Sequence, residues 1–159
     1  MVARSRARGR STRKKASRED SKLYYIFCEG VTETDYFKKL KNTLLKGRRD
    51  VALNIEPLGK AGDPRILLKK ALRQMEGLEL EQAWLVFDCE PQDPNRCKIA
   101  RETFFRKTVV TPIISFPSFE LWLILHKESP SPSLVDSAAK AEERLVKLVP
   151  GMEQDGYQV

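Results

Sequence analysis

The sequence predicts an α/β fold built on a mostly parallel four-stranded sheet. Three observations carry this. Residues 23–28 (Leu-Tyr-Tyr-Ile-Phe-Cys) and 83–87 (Ala-Trp-Leu-Val-Phe) are short apolar runs, the pattern of strands buried on both faces. Amphipathic helices alternate with the strands in the order β-α-β-α-β-α-β-α-α, which favours parallel pairing through crossovers. No internal repeat of solenoid period competes with that layout.

The first strand, residues 23–28, ends at Glu29-Gly30. Thr32 with Asp35 three residues on has the form of a capping box. The helix it opens carries Tyr36, Phe37, Leu40, Leu44 and Leu45 on one stripe and lysines on the other, and Gly47 stops it. Residues 51–56 alternate apolar and polar as a second strand, and 57–62 form a glycine-containing loop. Asp63-Pro64 then supplies an N-cap and a proline at the first helical position. That helix faces inward with Ile66 or Leu67, Leu68, Ala71, Leu72 and Met75, and Gly77 ends it. The third strand, 83–87, runs straight into Asp88-Cys89-Glu90. Asp93-Pro94 repeats the cap-plus-proline start for a helix holding Cys97, Ala100, Phe104 and Phe105 inward. Residues 109–115 are a fourth strand. Phe116-Pro117-Ser118 turns into a short helix, 119–126, apolar nearly all round and therefore expected to be buried. After a linker at 130–132, Ser133 and Asp136 offer a second capping box. The last helix spaces Leu134, Ala138, Ala141, Leu145 and Leu148 by four, three, four and three.

Length and charge set the organisation. A chain of 159 residues fits one domain. It holds 29 Lys plus Arg against 22 Asp plus Glu, a net charge of +7. Eight of the bases (Arg4, Arg6, Arg8, Arg10, Arg13, Lys14, Lys15, Arg18) fall in the first 18 residues, where there is no acid, so the remainder is close to neutral. Residues 1–20 therefore read as a disordered basic arm, 21–150 as the domain and 151–159 as a tail. The arm suits a polyanion. A solubilising tail and an organelle transit peptide are the alternatives. No apolar run approaches the ~18 residues of a membrane span, and the start lacks the apolar core of a secretory signal. Cys28, Cys89 and Cys97 have no CxxC spacing and the chain has one histidine. Both facts argue against zinc and for a reducing, cytoplasmic setting.

In open α/β sheets, ligands sit beyond the carboxyl ends of the strands, where strand order reverses. Here the first strand delivers Glu29, with Gly30 and Glu33 after it, and the third delivers Asp88 and Glu90. If those strands are neighbours, the acids converge. Clustered buried carboxylates repel, and a hard divalent cation relieves them. A cation so held polarises phosphoryl oxygens and activates water. The plainer alternative is that acids follow strands because helix N-termini favour negative charge. Glu120, in an apolar helix, needs a partner, structural or at the acid cluster. His126, the only histidine, suits a helix C-terminus better than a general base. Lys60 and Arg65 are candidates for substrate phosphate. The run Lys38, Lys39, Lys41, Lys46, Arg48 and Arg49 reads as a solvated face. Gly59-Lys60-Ala61-Gly62 lacks the Gly-Lys-Ser/Thr ending of a phosphate loop.

Three motifs in matching order and spacing resemble the RloB-like proteins over residues 22–127. They are Ile26-Phe27-Cys28-Glu29-Gly30 with Thr32-Glu33 and Tyr36-Phe37, then Trp84-Leu85-Val86-Phe87-Asp88, then Phe119-Glu120-Leu121-Trp122-Leu123 with Leu125-His126. The resemblance implies a TOPRIM-like, Rossmannoid three-layer fold. TOPRIM sites hold Mg²⁺ with a Glu after the first strand and an Asp-x-Asp after the third. Carried over, these are Glu29, then Asp88 and Glu90, so Asp88-Cys89-Glu90 departs from the pattern at its last position. The chain ends soon after Pro150-Gly151, where RloB-like proteins commonly continue, which suggests a short or truncated member.

The expected function is a Mg²⁺- or Mn²⁺-dependent nuclease tied to prokaryotic antiphage defence or restriction loci. Glu29, Asp88 and Glu90 would hold the metal, with Glu33 in the catalytic set and Glu120 and His126 supporting. Arg4, Arg6, Arg8, Arg10, Arg13, Lys14, Lys15, Lys60 and Arg65 would contact DNA or RNA. An ATPase or other defence-system subunit is an expected partner, and no membrane is. The alternative is a non-catalytic nucleic-acid-binding or partner-binding module of a defence complex.

Overall fold

The structure, a computed structural model, describes residues 21–105, 109–129 and 136–149. The elements are β1 (Lys22–Cys28), α1 (Val31–Leu44), β2 (Val51–Pro57), α2 (Pro64–Gln74), β3 (Gln82–Asp88), α3 (Pro94–Phe105), β4 (Val110–Ser115), α4 (Phe119–Leu125) and α5 (Ala138–Leu148). The four strands form one all-parallel sheet in the order β2-β1-β3-β4. The result is a Rossmann-like three-layer α/β fold. The basic arm lies outside the described residues.

Strand periodicity builds the two helical layers. On β3, Ala83, Leu85 and Phe87 point to one face, where they meet Leu67 and Ala71 of α2 and Ala100 of α3. Val86 points to the other face and joins Phe119, Leu123 and Ile124 of α4 and Ala141 and Leu145 of α5. Ile26 of β1, with Tyr36 and Phe37 of α1, packs into this second core. Because β1 and β3 are buried from both sides, they read as unbroken apolar runs.

Successive strands go opposite ways from the centre: β2 lies on one side of β1 and β3 on the other. The order therefore reverses between β1 and β3, and their carboxyl ends stand side by side, with Cys28 paired to Val86. Backbone bonds run past the strand ends. The Glu29 N–H donates to Val86 O at 3.0 Å, and the Cys89 N–H donates to Ser115 O at 2.9 Å. Glu29 and Asp88 thus leave adjacent strands at a fixed relative position.

Helix starts at Asp63 and Asp93 form as their sequence predicts. Asp63 Oδ1 accepts from the Arg65 N–H at 2.8 Å, and Asp93 Oδ1 accepts from the Arg96 N–H at 2.9 Å. Other local expectations are corrected. α1 begins at Val31 with Gly30 as its N-cap, so Thr32 and Asp35 both lie inside the helix and form no capping box. Leu44 is exposed and drops out of the α1 stripe, as Ile66 and Leu72 do from that of α2. α4 is buried on one side only: Phe119, Leu123 and Ile124 are covered, while Trp122 is 47% and Leu125 45% exposed. α5 is capped by Ser137, whose hydroxyl accepts from the Lys140 N–H at 3.3 Å. Ser133 and Leu134 lie outside the described residues, as does the Phe105 side chain.

Candidate functional site

A cavity of about 750 Å³ opens at the carboxyl edge of the sheet, above the switch point between β1 and β3. Its acids come from six places: Glu29 after β1, Glu33 in the first turn of α1, Asp88 at the end of β3 with Glu90 just beyond, Asp93 before α3, Glu120 in the first turn of α4, and Glu142 on α5. Lys60 and Arg96 also line it. A second, apolar hollow of about 450 Å³ lies between α1, β4 and α4 and shares Ser118 and nothing else with the first. The acids and bases are all on the first cavity.

Glu29 is fully engaged by the protein. Its Oε1 accepts from the Ala61 N–H at 3.1 Å, and its Oε2 accepts from Arg96 Nη2 at 2.6 Å. Both side chains are nearly buried, at 11% and 14% exposure. Arg96 reaches further. Its Nη1 donates to Ala61 O at 2.8 Å and its Nε to Asp88 O at 3.1 Å, while its Cζ lies 6.0 Å from the centre of the Phe87 ring. One guanidinium therefore ties together the ends of β1 and β3 and the loop after β2. Its rigid fork is suited to several fixed acceptors at once. That loop is shaped by Gly59, whose φ of +74° favours glycine.

Asp88 is treated differently. Its Oδ1 is buried and has no hydrogen-bond partner. Burial pushes its carboxyl up to about 7, the charges of Glu33, Glu120 and Glu29 push the same way, and only the Phe119 N–H pulls it down. Glu33, 5% exposed, is also raised by burial. Backbone bonds to its own N–H and to that of Gly30 oppose this, and Glu120 and Glu29 add to it. The Glu33 carboxylate thus lies over the start of α1, against its N-cap Gly30. A Cβ at position 30 would run into Glu33 Oε2, so Gly30 makes room for that carboxylate.

Ser118 is the N-cap of α4 and is 3% exposed. Its Oγ, buried and lining the cavity, has no partner. Glu120 follows two residues later on the same wall. Glu90 is exposed on the rim. Among the described residues no three acidic, histidine or cysteine side chains gather closely enough to cage a metal ion by themselves. The chemistry of the donor set still fits Mg²⁺, which takes one or two carboxylates and completes its shell with water. An orphaned carboxylate oxygen among mutually repelling acids is the arrangement that a hard cation relieves.

The remaining expected residues fall into place around this. Lys60 lines the cavity, whereas Arg65 lies outside it, bound to its own cap Asp63 at 2.6 Å. His126 caps the far end of α4, its Nε2 3.2 Å from Tyr36 Oη, away from the acids. Burial pushes the Cys28 and Cys89 thiols up to about 12, which keeps them protonated and apolar. Arg4, Arg6, Arg8, Arg10, Arg13, Lys14 and Lys15 lie outside the described residues. Arg96 was not singled out from sequence. The signal was there: a cation in the first turn of a helix opposes the helix dipole, so an Arg three residues after the Asp93 cap calls for an acidic partner.

Neither a curated protein nor a solved structure matches the chain. The family model described as RloB-like protein matches residues 24–158. That span covers β1 from Tyr24 onward, the switch point and every acid of the cavity, and the chain belongs to the RloB-like protein family.

Proposed function

We propose that this chain is a nuclease that cleaves nucleic-acid phosphodiesters with Mg²⁺ or Mn²⁺ at the acidic cavity, within prokaryotic antiphage defence. The observation that carries this is Asp88: a half-buried carboxylate whose buried Oδ1 has no partner, at the switch point of a parallel sheet. A bound divalent cation would supply Lewis-acid polarisation of a phosphoryl oxygen and a water of lowered pKa. The chain's own residues do the rest. Asp88 and its acidic neighbours offer hard oxygen donors. Lys60 on the rim offers a positive charge to a substrate phosphate. Arg96 holds Glu29 and the 58–62 loop in place, so the cavity wall is set before substrate arrives. The basic arm adds sequence-independent, salt-sensitive affinity. The defence setting is carried by family membership and the motif resemblance.

A second reading, a non-catalytic nucleic-acid- or partner-binding module, is favoured by the Glu29–Arg96 pair, which occupies an acid that TOPRIM sites give to metal. Cleavage decides between them. Plasmid, single-stranded DNA and structured RNA are incubated with Mg²⁺, Mn²⁺ or EDTA, alongside Asp88→Asn protein. Nuclease action predicts cation-dependent cutting of at least one substrate, lost in Asp88→Asn. No cutting by the wild type, with binding that disappears on deletion of residues 1–18, would establish the binding module instead.

A further inference from the structure

The resemblance to TOPRIM sites assigns metal to Glu29, Asp88 and Glu90, and the side chains do not divide that way. We propose that the cation seat is formed by Asp88 and Glu120 beside the Ser118 hydroxyl, with Glu33 behind it, and that Glu29 and Glu90 stand outside it. This rests on the cation-dependent reading above and refines which residues serve it.

Two independent observations meet here. The first is the state of the acids. Glu29 has both oxygens engaged, one by a guanidinium that is itself held by two backbone carbonyls. Freeing it would strand Arg96, so Glu29 is a poor donor to anything else. Glu90 is exposed to solvent, where its charge already has water. Asp88 Oδ1 has no partner, and Glu120 makes no hydrogen bond or ion pair among the described residues although it stands on the same wall. The second observation is Ser118. A hydroxyl on a residue 97% buried has neither donor nor acceptor partner and lines the same cavity as Asp88 and Glu120. A buried hydroxyl without a partner costs free energy, and a cation or one of its waters supplies the missing contact.

Three acids need not touch one ion for this seat to work. Two carboxylates, a hydroxyl and waters complete an octahedral shell, and Glu33, held by the α1 N-terminus, adds charge without direct contact. Glu29 then becomes a positioning residue. It anchors Arg96 and, through it, the loop carrying Lys60.

Mn²⁺ binding tests the division without any assay of activity. Free Mn²⁺ is measured by EPR during titration of the full-length chain at pH 8, with melting curves for each variant. Asp88→Asn and Glu120→Gln are expected to weaken binding at least about tenfold, and Ser118→Ala to weaken it less. Glu90→Gln and Glu29→Gln are expected to bind as the wild type does. Glu90 and Glu120 are not buried, so their variants keep the fold and the comparison between them stands whatever happens to Glu29→Gln. Loss of affinity in Glu90→Gln with Glu120→Gln unaffected would overturn the division while leaving the cation reading intact. No Mn²⁺ binding by the wild type would overturn both.

Discussion

Glu29 and Asp88 leave neighbouring strands at the same edge of the same sheet, yet the protein handles them in opposite ways. Glu29 receives a guanidinium, a backbone N–H and near-complete burial. Asp88 receives burial, three acidic neighbours and an oxygen with nothing to bond. Desolvating a carboxylate is costly in either place. On the Glu29 side the chain supplies the counter-charge itself, and the result is a rigid wall. On the Asp88 side the chain supplies no counter-charge, and in the function proposed above a cation would supply it. Charge count alone would have made the two equivalent. The difference between a structural acid and a functional one lies in whether its partner is covalently part of the chain.

The largest expected effect breaks the structural side. Arg96→Gln removes the charge that offsets Glu29 and the fork that spans three segments. A nearly buried pair broken from one side costs about 3–5 kcal/mol, so the urea midpoint should fall sharply. A change comparable to that of an exposed pair such as Lys22–Glu81 would mean that Glu29 is not held as described.

A smaller effect sharpens the functional side. Asp88 has its carboxyl raised from 3.8 to about 7. The folded form therefore binds its proton more tightly than the unfolded chain. Its contribution to stability is fully present below about pH 4 and is lost as pH rises through about 7. In EDTA, the wild type should melt lower at pH 8 than at pH 5, by on the order of 5 °C. Asp88→Asn should flatten most of that slope. Glu33, raised in the same direction, keeps a remainder, while Glu29 and Glu120 face the same cavity and Arg96 opposes them. A slope unchanged by the substitution would place the titration elsewhere.

Much of this was legible in the sequence. The apolar runs at β1 and β3 and the Asp-Pro helix starts depend on nearest neighbours along the chain, and they form within about a residue of their expected ends. The convergence of Glu29 and Asp88 followed conditionally, once β1 and β3 were neighbours, and the sheet order meets that condition. What was not legible depends on contacts between distant segments. Gly30 caps α1 with no side chain of its own, so the motif pointed instead to Thr32. A seven-residue apolar helix carries too little period to say which side is covered, and Trp122 and Leu125 of α4 face outward. Glu29 and Arg96 meet only because α3 begins beside the end of β1. Nothing local marks Glu29 as paired and Asp88 as orphaned.

The most direct test of the account is the melting temperature of the full chain at pH 8 with EDTA and with Mn²⁺, for the wild type and for Asp88→Asn. If Asp88 lacks only a cation, Mn²⁺ raises the wild-type melting point, because a ligand that binds only the folded state stabilises it. Asp88→Asn should then melt higher than the wild type in EDTA and gain nothing from Mn²⁺. A wild type indifferent to Mn²⁺, or an Asp88→Asn protein that gains as much as the wild type, would contradict the claim that this carboxylate is where the cation binds.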